Sequence, residues 1–182
     1  MWKNGVRPHL FRVDRKVFGF AGYSGSGKTT LIEQLLPRFV ATGLKVSLVK
    51  HAHHAFDIDK PGKDSYRHRE AGASEVLVTS DTRWVLMHES RNEPEPTLEA
   101  QIARFSPCDL VLVEGFKRAP IPKLEIHRPS YGRPPLFIDD ANIVAVATDA
   151  PINTSLPVLD LNDPGKIAQF IIAYHQLSPR SP

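Results

Sequence analysis

A glycine-rich segment at residues 22–30, GYSGSGKTT, carries the clearest chemical signal in the sequence. It fits the spacing G-x-x-x-x-G-K-[ST] of a phosphate-binding loop (P-loop), in which small residues let backbone N–H groups surround a phosphate. In such a loop Lys28 reaches the β- and γ-phosphates, and the Thr29 hydroxyl holds Mg²⁺. The segment predicts a nucleoside triphosphate site rather than an empty glycine-rich turn. The residues expected to contact the nucleotide are Gly22, Tyr23, Ser24, Gly25, Ser26, Gly27, Lys28, Thr29 and Thr30.

A carboxylate, Glu114, directly follows the apolar run Leu110–Val113. Such a run is typical of a central parallel strand buried on both faces, and ligands collect at the carboxyl ends of these strands. We therefore expect Glu114 at the Walker B position, beside Mg²⁺ or its water. With Lys28 and Asp59 it forms the predicted catalytic set, and with Thr29 and Asp59 the predicted metal ligands. The alternative is a surface carboxylate at the end of a strand.

The polar segment at residues 51–69, HAHHAFDIDKPGKDSYRHR, follows the second predicted strand and begins with three closely spaced histidines. These indicate zinc, although no further Cys/His pair lies nearby at ligand spacing, and a solvated loop of mixed charge is a second alternative. We favour a switch-like loop in which Asp59, or Asp57, approaches Mg²⁺ or the attacking water. The residues expected to face a substrate phosphate are His51, Lys60, Lys63 and Arg67.

A second strand-end carboxylate, Asp149, follows the apolar run Ile143–Ala147 and Thr148. In GTP-binding P-loop proteins a carboxylate after a late strand accepts hydrogen bonds from N1–H and the exocyclic amine of guanine. The usual N/T-K-x-D form is absent here, because no lysine precedes the aspartate. Asp149 is therefore either a guanine contact or a helix or turn cap.

Hydrophobic periodicity predicts the elements that must hold these residues. Strands are expected at residues 17–21, 45–50, 109–113, 123–127, 143–147 and 158–161, with a hairpin at 75–79 and 83–88. Helices are expected at 28–42, 64–72, 97–105 and after Asp163-Pro164, and Pro37 is expected to kink or shorten the first helix. The class is α/β, a mainly parallel sheet flanked by helices with a small antiparallel excursion.

The amino-acid composition argues against a membrane protein, a nucleic-acid-binding protein and a disulfide-bonded protein. The 182 residues, 41% of them apolar and 24% charged, indicate one globular domain, which we place at 16–178 after a flexible basic arm at 1–15. No apolar stretch approaches the roughly 18 residues of a membrane span, and no secretory signal core is present, so we expect a cytoplasmic protein with no membrane partner. The charge of +3 suits an anionic substrate, but no dense Lys/Arg stripe indicates nucleic acid. Cys108 stands alone, which excludes an intrachain disulfide.

Three stretches together, GYSGSGKTTL, HAHHAFDIDKPGKDSYRHREAG and LVLVEGFK, resemble the MobB family of molybdopterin-guanine dinucleotide biosynthesis adapter proteins. The resemblance covers about residues 16–175. It implies a P-loop NTPase fold, GTP binding with weak GTPase activity, a homodimer, and association with the molybdenum cofactor guanylyltransferase that attaches GMP to molybdopterin. By the same resemblance Gly22–Thr30 is the phosphate loop, Glu114 is the Walker B acid, and Asp57–Lys63 is a metal or substrate loop.

Two other functions fit the same motifs. A P-loop small-molecule kinase would use Arg67, His68 and Arg69 as a rudimentary lid, with Asp59 as the base for an acceptor hydroxyl. A nucleotide-binding module without turnover would hold its nucleotide for a structural purpose. The sequence favours a GTP-binding adapter with slow hydrolysis in molybdenum cofactor assembly.

Overall fold

The computed structural model describes residues 15–52 and 56–178. Contacts divide them into two compact units, the first containing 15–51 and 98–178 and the second containing 52 and 56–97. The predicted arm lies outside the described residues except for Arg15, whose guanidinium donates hydrogen bonds to the carbonyl oxygens of Ile102 at 2.9 Å and Phe105 at 2.7 Å. The placement of a single domain at 16–178 stays a prediction.

The helices and strands follow the order expected from the sequence. They are β1 (Lys16–Ala21), α1 (Lys28–Ala41), β2 (Val46–Lys50), α2 (Asp64–Glu70), β3 (Glu75–Thr79), β4 (Trp84–His88), α3 (Leu98–Ile102), β5 (Leu110–Glu114), β6 (Lys123–His127), β7 (Ile143–Thr148), β8 (Val158–Asp160) and α4 (Pro164–Tyr174). Two short 3₁₀ turns, Pro129–Tyr131 and Leu136–Ile138, lie between β6 and β7. Helix α1 continues past Pro37 to Ala41, so the proline does not shorten it.

The first unit is built on a six-stranded sheet in the order β2-β5-β1-β6-β7-β8, with every pairing parallel. Alternate residues of β5 point to opposite faces: Leu110 and Leu112 pack in the core with α1 and α4, and Val111 and Val113 pack with α3. Burial on both faces explains the unbroken apolar run of this strand. The predicted α/β class is confirmed.

Strand β6 departs from the usual rule that charged residues face water. All five of its residues are buried, including Lys123, Glu125 and His127 on one face. Lys123 Nζ lies 2.7 Å from Asp140 Oδ2 and donates to the carbonyl oxygens of Lys117 at 3.1 Å and Ala119 at 2.8 Å. Buried charges require such partners, and these partners lie in the loops before and after β6. The strand therefore ties two loops at the edge of the sheet to the core.

The second unit contains α2 and the antiparallel hairpin of β3 and β4, in which Leu77 lies opposite Leu86 and Thr79 opposite Trp84. The predicted antiparallel excursion is thus a separate two-stranded sheet. Among the helices in the described ranges, none has the length and apolar character needed to cross a membrane.

Candidate functional site

The P-loop connects β1 to α1 at the carboxyl edge of the first unit's sheet. Gly22 has φ +148°, and a Cβ placed on it would lie 2.7 Å from Ser26 Oγ and 2.8 Å from the carbonyl oxygen of Ile126. Because one of these contacts is backbone, only glycine fits without displacing the neighbouring strand. Ser26 is 2% exposed, and its Oγ has no hydrogen-bond partner within the part of the chain that the structure describes. The loop is thus a closely packed cradle holding an unused polar atom.

Lys28, the first residue of α1, turns its side chain back over this cradle. Its Nζ donates hydrogen bonds to the carbonyl oxygens of Gly22 at 2.9 Å and Tyr23 at 2.8 Å. Burial lowers the pKa of the Lys28 ammonium below its ordinary value of 10.5; the Glu114 charge opposes this, and the charges of Lys117 and Lys50 add to it. An ammonium held beside carbonyl oxygens in a partly dehydrated site favours an incoming anion, which would supply the negative charge it lacks.

Thr29 and Glu114 meet on the β5 side of the loop. The Thr29 hydroxyl donates to Glu114 Oε1 at 2.6 Å, and Lys50 Nζ lies 3.4 Å from Glu114 Oε2. Glu114 is the last residue of β5 rather than the residue after it, and it is 7% exposed. A hydroxyl and a carboxylate are hard oxygen donors of the kind that Mg²⁺ takes, usually one or two from the protein with the rest from phosphates and water. The donor set therefore fits magnesium at a triphosphate.

His51 lies next to this pair. Its backbone N–H donates to the carbonyl oxygen of Glu114 at 2.9 Å, and its ring centre lies 5.1 Å from that of Phe116. Gly115, with φ +97°, lets the two segments approach, because a Cβ there would lie 2.8 Å from His51 Cβ. The backbone of His51, a predicted substrate contact, is thus held beside that of Glu114, the predicted Walker B residue.

Arg128, which follows β6, contacts the other side of the P-loop. Its Nε donates to the carbonyl oxygen of Ser26 at 3.1 Å, and its guanidinium forms an ion pair with the carboxylate of Asp149. Sequence reasoning missed Arg128, although its place just after a buried strand is the same signal that marked Glu114 and Asp149.

A tyrosine pair joins the same loop to the P-loop. Tyr131 OH donates to the carbonyl oxygen of Gly25 at 3.2 Å, and Tyr23 OH donates to that of Pro134 at 3.1 Å. These bonds place the segment after β6 directly against the phosphate cradle.

An open cleft of about 290 Å³ begins where the P-loop meets α1. Its apolar residues are the buried Leu31 and Leu161. Its remaining lining residues are Gly27, Thr30, Gln34, Arg128 and Asn162. The cleft is therefore mainly polar, with two apolar side chains in its lining.

Comparison with known proteins identifies the family. The family model described as "MobB: Molybdopterin guanine dinucleotide synthesis protein B" matches residues 17–149. This chain belongs to the MobB family. The resemblance drawn from the sequence motifs is confirmed.

Two relatives, each named molybdopterin-guanine dinucleotide biosynthesis adapter protein, match most of the chain. The Escherichia coli (strain K12) protein is 44% identical over 163 residues, which cover 88% of this chain and 93% of the relative. The Haemophilus influenzae protein is 45% identical over 155 residues, 85% of this chain and 86% of the relative. The crystal structure of Bacillus subtilis MobB superposes with a TM-score of 0.71 at 26% identity, covering 91% of this chain and 99% of that one.

The remaining predicted site residues of this MobB chain lie in the second unit. Lys60, Lys63 and Arg67 are exposed, and the carboxylate of Asp59 accepts hydrogen bonds from Ser65 Oγ and its neighbour's N–H, each at 2.9 Å. Their placement at substrate phosphate or metal stays a prediction. His53 and His54 lie outside the described residues, so the zinc alternative is not tested. Among residues 15–52 and 56–178, no group of three or more His, Cys, Asp or Glu side chains is arranged to hold a metal ion.

Arg69, which the kinase alternative would use in its lid, is instead surrounded by carboxylates. It lies 2.8 Å from Asp57, 3.4 Å from Asp59 and 2.7 Å from Glu89, and its hydrogen bond holds the pKa of Asp57 below its ordinary value of 3.8. Three carboxylates thus converge on one guanidinium. Arg69 serves as the internal counter-ion of this loop, which removes it from the lid that a kinase would need.

Proposed function

We propose that this chain binds GTP with Mg²⁺ at the P-loop and acts as an adapter in molybdopterin-guanine dinucleotide biosynthesis. The observation that carries the nucleotide part is the 2.6 Å bond from Thr29 to the buried Glu114, beside Lys28. These three residues bring together a cation for phosphate oxygens and two oxygen donors for the metal. The adapter part is supported by the family and by the names of its relatives.

Each residue has a separate task in the proposed site. The backbone of residues 22–27 surrounds the phosphates, and Lys28 exchanges its bonds to Gly22 and Tyr23 for bonds to β- and γ-oxygens. Thr29 and Glu114 hold Mg²⁺, directly or through water. When bound, the metal neutralises charge that develops on the phosphate oxygens.

We propose that GTP hydrolysis is slow, because Arg128, the arginine that contacts the P-loop, lies on the side away from the proposed γ-phosphate position. Strand β1 lies between β5 and β6; Glu114 ends β5, whereas Arg128 follows β6 and is paired with Asp149. A site without an arginine finger at the transferring group loses about 10³-fold or more in rate.

Asp59 is our candidate for orienting the attacking water. For His51, Lys60, Lys63 and Arg67 the proposed ligand is a phosphate of the second substrate, molybdopterin.

Calorimetric titration with Mg·GTP tests the nucleotide site. Lys28→Ala should weaken GTP binding by about 10- to 100-fold, because it removes a charged donor worth about 1.5–3 kcal/mol. The matched control is Lys45→Ala, which removes the same charge from an exposed position just before β2, at the amino end of that strand and away from the P-loop. Equal GTP affinity in the two variants would contradict the site. Phosphate release above the Lys28→Ala background separates slow GTPase activity from a module without turnover.

The homodimer belongs to the same proposal, with the β3–β4 hairpin as its contact surface. Leu77, Trp84 and Leu86 lie on one face and are 59%, 66% and 49% exposed. A two-stranded sheet with an uncovered apolar face gains stability when a second copy covers it. Leu86→Lys should shift sedimentation equilibrium from dimer to monomer, whereas Val158→Lys, at an exposed position of β8, should not. A dimer that resists Leu86→Lys would exclude this surface.

We also propose that the partner is the molybdenum cofactor guanylyltransferase and that the two proteins meet in the cytoplasm. Size-exclusion chromatography of the purified pair, with and without Mg·GTP, tests the association. If the two proteins elute separately under both conditions, the proposed association with the guanylyltransferase is contradicted.

A further inference from the structure

The cleft beside Arg128 lies on the side of the P-loop toward which the proposed nucleotide would extend, as the strand order indicates. Thr29 and Glu114, the proposed metal ligands, would put the γ-phosphate end of a triphosphate on the β5 side of β1. A nucleotide that starts there must leave the P-loop toward β6, β7 and β8, whose carboxyl ends lie at the same edge. The cleft opens on that side, between the first turns of α1 and the residue Asn162 after β8.

The cleft has groups suited to a purine and its ribose. Leu31 and Leu161 give an apolar surface, and Gln34 and Asn162 offer amide donors and acceptors. The Asp149 carboxylate, which can accept two hydrogen bonds, lies behind this lining and is paired with the lining residue Arg128. Guanine has adjacent N–H and NH₂ donors that match a carboxylate, and adenine lacks the N1–H.

Asp149, however, is already bound. Arg128 lines the cleft, pairs with the Asp149 carboxylate and donates to the carbonyl oxygen of Ser26 at 3.1 Å. Asp149 and Arg128 side chains are only 27% and 29% exposed, so bulk water does not readily take the place of either partner. A base that bonds to Asp149 must first displace the guanidinium.

We propose that Arg128 is a latch on the base-binding cleft, which occupies Asp149 in the free protein and is displaced by guanine. The inference rests on the proposed function, because it needs a triphosphate at the P-loop. Arg128 then lowers the affinity for guanine, which must displace it to reach the Asp149 carboxylate, more than the affinity for a base that does not use that carboxylate. Once released from Asp149, its guanidinium stays near the P-loop through the Ser26 carbonyl.

The test is a set of calorimetric titrations with GTP, ATP and inorganic tripolyphosphate, which fills the P-loop but not the cleft. Arg128→Ala should tighten GTP binding and raise the GTP-over-ATP preference by about tenfold, as for one or two freed hydrogen bonds, with tripolyphosphate affinity nearly unchanged. Asp149→Asn should cancel that gain, so that Arg128→Ala has no further effect in its background. Arg133→Ala, an exposed arginine of the same loop whose guanidinium lies 5.8 Å from the Tyr23 ring, is the control for lost charge.

Arg128→Lys keeps the charge but not the planar fork, and should give an intermediate preference. Equal weakening of GTP, ATP and tripolyphosphate by Arg128→Ala would make Arg128 a phosphate contact and overturn the latch. An unchanged GTP-over-ATP ratio would overturn it too, while Lys28-dependent GTP binding would leave the proposed function standing. Absence of any Lys28-dependent binding would overturn both.

Discussion

Loss of the Glu125 carboxylate should destabilise the first unit. Glu125 is fully buried on β6, and its two carboxylate oxygens accept the backbone N–H groups of Leu136 at 2.7 Å and Phe137 at 2.9 Å. It thereby caps the 3₁₀ turn Leu136–Ile138, and His127 Nδ1 lies 3.7 Å from Oε1. The side chain thus does for this turn what an N-cap does for a helix.

The expected magnitude follows from those two bonds. Glu125→Ala leaves two N–H groups without their acceptor, at about 1–3 kcal/mol each, so we expect a loss of about 2–6 kcal/mol in the free energy of unfolding. That is a large share of the ~5–15 kcal/mol of an ordinary domain. Glu125→Gln keeps the side-chain volume and one acceptor oxygen, so it should lower the free energy of unfolding by about half as much as Glu125→Ala.

Urea unfolding followed by far-UV circular dichroism measures the loss, and amide hydrogen exchange locates it. Exchange of the Leu136 and Phe137 amides should accelerate in Glu125→Gln more than exchange of the amides in β1. Glu99→Gln, at an exposed position in the first turn of α3, is the isosteric control. If Glu125→Gln and Glu99→Gln change the free energy of unfolding by the same few tenths of a kcal/mol, the Glu125 carboxylate does not hold the turn.

Two pH-dependent predictions complete the set. Hydrogen bonds to Glu75 and then Glu93 raise the pKa of His88 above its ordinary 6.5, so its contribution to stability is complete below about pH 6.5 and is lost as pH rises through the raised pKa. NMR titration should show the His88 pKa falling in Glu75→Gln, and an unshifted value would refute the pairing. Because burial lowers the pKa of Lys28 below its ordinary 10.5, phosphate binding should raise it again, and GTP binding at alkaline pH should take up protons. Calorimetry in buffers of different ionisation enthalpy measures that uptake, which Lys28→Ala should abolish.

Much of the fold could be predicted because its signals are local. The P-loop from Gly22 to Thr30 is one continuous stretch whose spacing alone specifies a phosphate cradle, and β5 is marked by four consecutive apolar residues. Residues after such strands converge on one edge by the rule of parallel sheets, which is why Glu114 could be placed beside Thr29 across 85 positions. The motif stretches were also specific enough to indicate the MobB family.

The parts that escaped prediction depend on which distant groups meet. The alternation of β6 shows three polar residues on one face but not that they are buried, because the loops that cover Lys123 and Glu125 have no periodicity of their own. Arg128 meets the P-loop carbonyl of Ser26 across 102 positions, and no spacing rule relates the two. By itself the sequence determined the P-loop motif, the succession of helices and strands along the chain, and the family. Only the tertiary structure decided that Asp149 is held by Arg128, because the partner of a charge depends on what the folded chain brings within reach.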